Sequence, residues 1–331
     1  MMPPPPIRIG VMGCANIAQR SVIPAIQTLP SLHLAGVASR SLEKGMAFAA
    51  QCGCPYVGDY ATLLESDDID AIYMPLPTGL HLEWAGNALR AGKHVLVEKS
   101  LASSLAEAED LIALARQHRL VMLENYMFVH HAQQAMVQQL IQDHLGDIRL
   151  FRATFCFPPL PPDNFRYTKS LGGGALLDAG GYPLKACQLF MGEDIEVLAA
   201  CLNIDSAGVD RWGGAMLAAT RNGSRIPLHI AFGFDQFYQC SIDVLGQHGR
   251  ITTSRTFTAG PDVTPTALLE TPGQTKDIPL PRDNHFVRLL ELFCRHIHLR
   301  DWEAPCVENL RQAHLQDRVR HLATAPKEPS P

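Results

Sequence analysis

The first third of the chain alternates short apolar runs with helical patterns. Ile7–Met12 reads as a buried strand, and the apolar spacing of Ile17–Gln27 predicts the helix after it. Leu34–Ala38, Ala71–Met74, His94–Val97 and Leu120–Leu123 are further runs of strand length. A helical pattern spans Leu80–Ala91, and another runs from Ser104 to His118. Ser104-Leu-Ala-Glu107 has the spacing of a capping box, in which a serine and a glutamate satisfy free N–H groups at a helix start. Strands alternating with helices predict a doubly wound parallel sheet covered on both faces.

The pattern then changes. Phe128–Asp143 reads as a helix and leads into a long alternating run, Ile148–Phe157. Ile195–Leu202, Gly214–Thr220, Ile226–Phe232, Tyr238–Leu245 and Arg250–Thr253 follow with no helix between them. Such a series predicts an open-faced, mostly antiparallel sheet, hence an α+β domain. Helices over Asn284–His298 and Val307–Ala323 close the chain. The boundaries read as an α/β domain over 1–125, a substrate and oligomerisation domain over 126–324, and a tail over 325–331.

At 331 residues the chain has room for two domains, on a scale of ~150 residues each. A 47% hydrophobic and 18% charged composition is that of a globular protein. The net charge of −5 argues against a nucleic-acid surface. No uninterrupted apolar run reaches ~18 residues, so no membrane span is expected. The start, Met1-Met2-Pro3-Pro4, lacks a basic and apolar leader. Nine scattered cysteines, an odd number, fit a reducing, cytoplasmic setting better than a disulfide framework. Cys52 and Cys54 are too closely spaced for a Cys-x-x-Cys pair, and no clustered ligands predict a metal.

Gly10-Val-Met-Gly13-Cys14-Ala15-Asn16-Ile17-Ala18 joins the first strand to the first helix. A dinucleotide-binding fold places its Gly-x-Gly-x-x-Gly/Ala turn there. Gly13 makes the turn, and the helix start offers N–H groups to a pyrophosphate. Ala15 and Ala18 replace the later glycines. The second strand ends in Ala38-Ser39-Arg40, without the acid that an NAD site places against the ribose. Ser39 and Arg40, with Lys44 one turn on, suit a 2′-phosphate and hence NADP. Read alone, the same loop describes a solvated turn with an incidental arginine.

Glu98-Lys99 ends another strand, where the ligand crevice of an open parallel sheet lies. A lysine there can donate to a substrate oxygen, although the pair also describes a solvated strand end. In Gly172-Gly-Gly-Ala-Leu-Leu-Asp178-Ala-Gly-Gly-Tyr182, Asp178 and Tyr182 share a face if the segment is helical. A phenol near a carboxylate and a lysine can protonate a carbonyl oxygen. The other reading is a core tyrosine and a capping aspartate. Upstream, a proline-rich run from Cys156 to Pro162 leads to Arg166 and Tyr167, which can meet a ligand's charge and ring or belong to a rigid connector.

Four segments occur in order: the Gly13 turn, Ala71-Ile-Tyr-Met-Pro-Leu76-Pro77-Thr78-Gly-Leu-His81, Glu98-Lys99, and the glycine-rich run to Tyr182. Together they resemble the glucose–fructose oxidoreductase / inositol dehydrogenase / MocA family. The resemblance covers nearly the whole chain. It implies an N-terminal Rossmann domain and a C-terminal open-sheet domain. Glu124-Asn125, Phe165-Arg166-Tyr167 and Arg255-Thr-Phe-Thr are similar to the NADP-dependent members that reduce C-3 of nucleotide-linked keto-deoxyhexoses. The resemblance implies Lys99 and Tyr182 as the catalytic pair. It implies that Gly13, Cys14, Ala15, Asn16, Ile17, Ser39, Arg40, Leu76, Pro77, Thr78, His81 and Glu98 line NADP. Asn125, Arg166 and Asp178 would line the nicotinamide or substrate side. Relatives usually have proline after the lysine, and this chain has Ser100.

The reading is an NADPH-dependent oxidoreductase, a ketoreductase of a nucleotide-sugar substrate in deoxysugar biosynthesis. Arg166 counts on both the cofactor and substrate sides, and Lys99, Tyr167, Asp178 and Tyr182 face the substrate. A dehydrogenase of free sugars or dihydrodiols is the rival, and a non-catalytic NADP-binding sensor is the rival of another class. An open sheet needs a cover, so a homodimer or homotetramer is expected.

Overall fold

The computed structural model describes residues 4–325, so the predicted tail, 325–331, lies outside the described residues from 326 on. The chain divides into two compact units. Among the described residues, one comprises those up to Met127 together with Phe286–Ala313, and the other comprises Phe128–His285 with those from His314 onward.

The first unit is a six-stranded sheet of β1 (Ile7–Met12), β2 (Leu32–Ala38), β3 (Tyr56–Gly58), β4 (Ala71–Met74), β5 (His94–Glu98) and β6 (Met122–Asn125). All neighbours are parallel, in the order β3-β2-β1-β4-β5-β6, which is the Rossmann order. The helices are α1 (Ile23–Thr28), α2 (Leu42–Cys52), α3 (Tyr60–Glu65), α4 (His81–Arg90) and α5 (Leu105–His118). Ile23, Ile26 and Phe48 cover one face of the sheet with Phe286, Leu290 and Phe293. Leu63, Leu89 and Leu111 cover the other with Cys306. Central strands buried on both faces explain their unbroken apolar runs.

Local chemistry explains several departures from the sequence reading. The first helix opens as a π-helical turn, Ala18–Val22. Pro24 has no N–H for the ladder, so the α-helix proper starts only at Ile23. At α5, Ser104 Oγ accepts from Glu107 N at 3.2 Å, but the Glu107 carboxylate reaches back to Ser103 N at 2.9 Å, one residue earlier than the box predicts. Strand β6 runs past Leu123 to Asn125, where Glu124 pairs with Val97 and Asn125 with Glu98 of β5, and the buried Glu124 carboxylate accepts from Leu101 N at 2.7 Å.

The second unit is an eight-stranded sheet of β7 (Ile148–Phe157), β8 (Ile195–Ile204), β9 (Asp210–Arg221), β10 (Ser224–Phe234), β11 (Gln239–Gly246), β12 (Arg250–Thr253), β13 (Thr266–Thr271) and β14 (Gln274–Pro279). The order is β14-β13-β12-β11-β7-β10-β9-β8. Only β7 and β10 pair in parallel. Helices α6 (Ala132–His144) and α7 (Gly181–Met191) belong to this unit. Phe151, Ile230 and Phe232 are buried on one face, where Phe190 of α7 stacks on Phe151 at 5.8 Å. The other face shows Trp212, Met216 and Leu245, each about two-fifths exposed or more. It also carries an ion-pair chain through Arg152, Asp243, Arg250 and Glu270.

The last helices are α8 (His285–Leu299) and α9 (Glu303–Thr324). The linear boundary at 125 assigns both to the second domain. The structure instead puts Phe286–Ala313 in the first unit, because Phe286, Leu290 and Phe293 complete its core.

Candidate active site

In an open α/β sheet the ligand crevice lies beyond the strands' carboxyl ends, where the strand order reverses. Here that point lies between β1 and β4. Gly13 follows β1 at φ +113°, and a Cβ on it would stand 2.9 Å from Leu76 Cδ2, so the turn admits no side chain. Beyond it Cys14 and Ala15 are half-buried, Asn16 and Ile17 are exposed, and Cys14 Sγ lies 4.0 Å from Lys44 O.

At the tip of β2, Ser39 Oγ accepts from Ser41 N at 3.2 Å, and Ser41 caps α2 by accepting from Lys44 N. Arg40 and Lys44 are exposed. The buried Tyr60 phenol lies within reach of the Arg40 charge. Burial raises the Tyr60 pKa and the Arg40 charge opposes that rise. The Tyr60 ring rests edge-on against Trp84 at 5.0 Å. Tyr60 is absent from the sequence reading, since only long-range packing brings it to Arg40.

At the tips of β4, β5 and β6 the polar groups lock together. Leu76 and Pro77 are half-buried and Thr78 is buried. His81 is wholly buried, with Nε2 2.9 Å from Leu76 O and Nδ1 2.9 Å from Ser100 O. Its ring, expected against the cofactor, ties the Leu76 loop to the segment after Lys99 through both nitrogens. Burial depresses its pKa, and the carbonyls oppose that shift.

The Glu98 carboxylate accepts from Tyr73 OH at 2.7 Å and from Asn125 Nδ2 at 2.6 Å. Burial raises its pKa, while these hydrogen bonds and the Lys99 charge hold it down. Asn125 Oδ1 is buried with no hydrogen-bond partner among the described residues. Lys99 is half-buried, and the Lys99–Ser100 peptide is cis. Ser100 Oγ lies 3.5 Å from Tyr126 OH, which accepts from Gln312 Nε2 at 3.2 Å.

In the second unit Tyr182 is 6% exposed at the start of α7. Its ring lies 4.8 Å from Phe155 and 5.7 Å from both Phe128 and Phe257. The three phenylalanines fix the ring's position and were not among the sequence candidates. Asp178 sits in a π-helical turn, Leu176–Gly180, and its Oδ2 accepts from Arg166 Nε at 2.6 Å. Gly173 allows that pairing: a Cβ there would stand 2.5 Å from Arg166 O. Asp210, also missed, accepts from Leu176 N at 2.6 Å and fixes the turn's start.

Tyr167, expected on the substrate side, has its hydroxyl engaged within the chain. Its hydroxyl donates to Asp235 Oδ1 at 2.8 Å and accepts from Leu160 N at 3.0 Å. Arg211 covers the ring at 4.0 Å. Tyr167 thus anchors the proline-rich segment to the sheet end.

Residues 7–126 match the oxidoreductase family with an NAD-binding Rossmann fold, and residues 134–252 match the GFO/IDH/MocA C-terminal domain. The chain is 39% identical over 320 residues, 95% of each chain, to a dTDP-3,4-didehydro-2,6-dideoxy-α-D-glucose 3-reductase from Actinomadura kijaniata. It is 30% identical over 292 residues to D-xylose 1-dehydrogenase (NADP(+)) 2 from Haloferax volcanii, covering 87% of this chain and 88% of that one. The crystal structure of a 3-ketoreductase from Actinomadura kijaniata with NADP and TDP-benzene superposes with a TM-score of 0.91 at 38% identity, covering 96% of this chain and 98% of that one. Two further structures of that ketoreductase with the same ligands carry a tyrosine-to-phenylalanine and a lysine-to-alanine change.

Proposed function

The chain belongs to the GFO/IDH/MocA family of oxidoreductases, and from that premise we propose that it is an NADPH-dependent ketoreductase acting on C-3 of a nucleotide-linked keto-deoxysugar. The observation that carries this reading is Tyr182, a phenol held in a cage of three phenylalanines in a chain similar end to end to a 3-reductase.

The residues present fit a phosphorylated dinucleotide. The tip of β2 offers a hydroxyl and a guanidinium with no carboxylate, the reverse of what an unphosphorylated ribose needs. The Gly13 turn and the N–H groups after it suit a pyrophosphate. Asn125 Oδ1, buried without a partner, is an acceptor for a ligand amide. When bound, the cofactor supplies the hydride.

The chain's own residues do the rest. Tyr182 gives a proton to the keto oxygen, and Lys99 hydrogen-bonds that oxygen and stabilises its developing charge. Glu98, held by Tyr73 and Asn125, sets the charge beside Lys99. Arg166 is oriented by Asp178. A Tyr182→Phe variant keeps the ring and its packing. Its turnover of a nucleotide-linked 3-keto sugar with NADPH falls by about 10²–10⁴, the usual worth of a positioned acid. Wild-type turnover in that variant refutes the assignment.

The similarity to a D-xylose dehydrogenase supports a second reading, oxidation of a free sugar. In either case we read the enzyme as cytoplasmic and as a homodimer or homotetramer joined through the sheet face that shows Trp212 and Met216. Among the described residues, no helix is long and apolar enough to cross a membrane. Light scattering that gives a monomer at micromolar concentration contradicts the oligomer.

A further inference from the structure

Strand β5 ends at Glu98, and the chain after Lys99 enters a buried polar cradle. Side chains from other segments close on Ser100 and Leu101. The His81 ring of α4 places Nδ1 2.9 Å from Ser100 O and 3.1 Å from Leu101 O. Glu124, near the end of β6, accepts from Leu101 N at 2.7 Å. Two residues on, the Tyr126 hydroxyl lies 3.5 Å from Ser100 Oγ. Ser100, Leu101, His81, Glu124 and Tyr126 are all buried.

A further link comes from the far end of the chain. Strand β6 is the outer strand of its sheet, and α9 is tied to it: Asn309 Nδ2 donates to Met122 O at 2.9 Å. One turn later Gln312 Nε2 donates to Tyr126 OH at 3.2 Å. An amide nitrogen only donates, so the phenol accepts there and keeps its own hydrogen for Ser100 Oγ. Asn309 and Gln312 are buried, at positions where apolar side chains would pack without a desolvation cost. Buried polar groups that have found partners fix one arrangement, whereas apolar packing tolerates several.

Lys99 thus stands between two held neighbours. Glu98 on one side pairs with Asn125 of β6 in the ladder. Ser100 on the other is held through its carbonyl and its hydroxyl. We propose that Tyr126 and Gln312 are positioning residues for the reaction: they hold Ser100 and so fix the backbone from which the Lys99 ammonium reaches the keto oxygen. This rests on the reading of Lys99 as the group that stabilises that oxygen. A lysine carries its charge on a long flexible stem, so freedom at the root of the stem spreads the positions of the ammonium. A misplacement of about 1 Å costs up to about 10²-fold in rate.

Tyr126→Phe removes one oxygen and keeps the ring, and Gln312→Met keeps the volume and removes the donor. In Tyr126→Phe, kcat for NADPH-dependent reduction of a dTDP-linked 3-keto sugar is expected to fall about 10- to 100-fold, with NADPH affinity by calorimetry unchanged. Native-state exchange of the Leu101 amide is expected to quicken by about 10-fold while the Val11 amide of β1 keeps its rate. Gln312→Met is expected to shift both readouts the same way and by less. Adding Ser100→Ala to Tyr126→Phe is expected to cost nothing more, because the two changes remove one contact. Wild-type kcat in Tyr126→Phe with a faster Leu101 amide means that the contact only packs the segment, and it overturns the proposal. An unchanged Leu101 amide overturns it too, as do losses that multiply in the double variant. If the wild type reduces no nucleotide-linked sugar and oxidises D-xylose, the substrate reading falls, and the same comparison of kcat on D-xylose decides the role of Tyr126.

Discussion

Acid destabilises the second unit through a buried histidine pair. His285, 3% exposed at the start of α8, meets the His131 ring edge-on at 5.7 Å. His131 caps α6, its Nδ1 accepting from Gln133 N at 3.1 Å, so the cap requires that nitrogen to be unprotonated. Burial pushes the His285 pKa down to about 3, the His131 charge adds to the shift, and Asp283 opposes it. Burial also lowers His131.

The unfolded chain titrates near 6.5, so it takes up the proton first as pH falls. The stability due to neutral His285 is complete above about pH 6.5 and drains away towards about pH 3. At about 1.4 kcal/mol per unit, His285 alone costs about 2 kcal/mol by pH 5, a sizeable part of the ~5–15 kcal/mol that holds a domain. Native-state hydrogen exchange of the α6 and β10 amides, corrected for intrinsic rates, reads the opening free energy of this unit by itself. The wild type loses about 2 kcal/mol or more between pH 7 and pH 5, and His285→Gln flattens the slope by that amount. A wild-type profile flat over that range, or an unchanged slope in the variant, refutes the reasoning.

Two other outcomes follow from single contacts. Arg40→Ala removes a charge-assisted contact worth about 1.5–3 kcal/mol, so NADPH affinity falls about 10- to 150-fold with NADH affinity unchanged by calorimetry. Gly173→Ala places a Cβ 2.5 Å from Arg166 O; it lowers the melting temperature and raises the KM for the keto sugar, as thermal unfolding and steady-state kinetics would show.

Strands with strong apolar runs were legible in the sequence. The predicted bounds of β1, β4, β7 and β12 match the structure to the residue. Strands β13 and β14, and the segment β3-α3, went unread. Strand β14 is Gln274-Thr-Lys-Asp-Ile-Pro279 at a sheet edge, largely exposed and with no apolar pattern to read. Strand β3 is three residues long.

The site was partly legible for the same reason. Gly13, Ser39, Arg40, Lys99 and Tyr182 stand at strand tips or helix starts, where a local motif marks them. Tyr60, Phe128, Phe155 and Phe257 act through contacts between distant segments. His81 and Tyr167 look like ligand contacts in sequence, yet the fold spends their polar atoms on Leu76 and Ser100, and on Asp235 and Leu160.

The central claim, that the substrate is a nucleotide-linked keto sugar, is tested most directly by comparing kcat/KM in two assays on one preparation. One is NADPH-dependent reduction of a dTDP-linked 3-keto-deoxysugar, and the other is NADP⁺-dependent oxidation of free D-xylose. The account predicts that reduction of the nucleotide-linked sugar exceeds oxidation of the free sugar by at least about 10²-fold, since the diphosphate and base supply remote binding energy. Oxidation of D-xylose at an equal or greater kcat/KM contradicts it and makes the enzyme a free-sugar dehydrogenase.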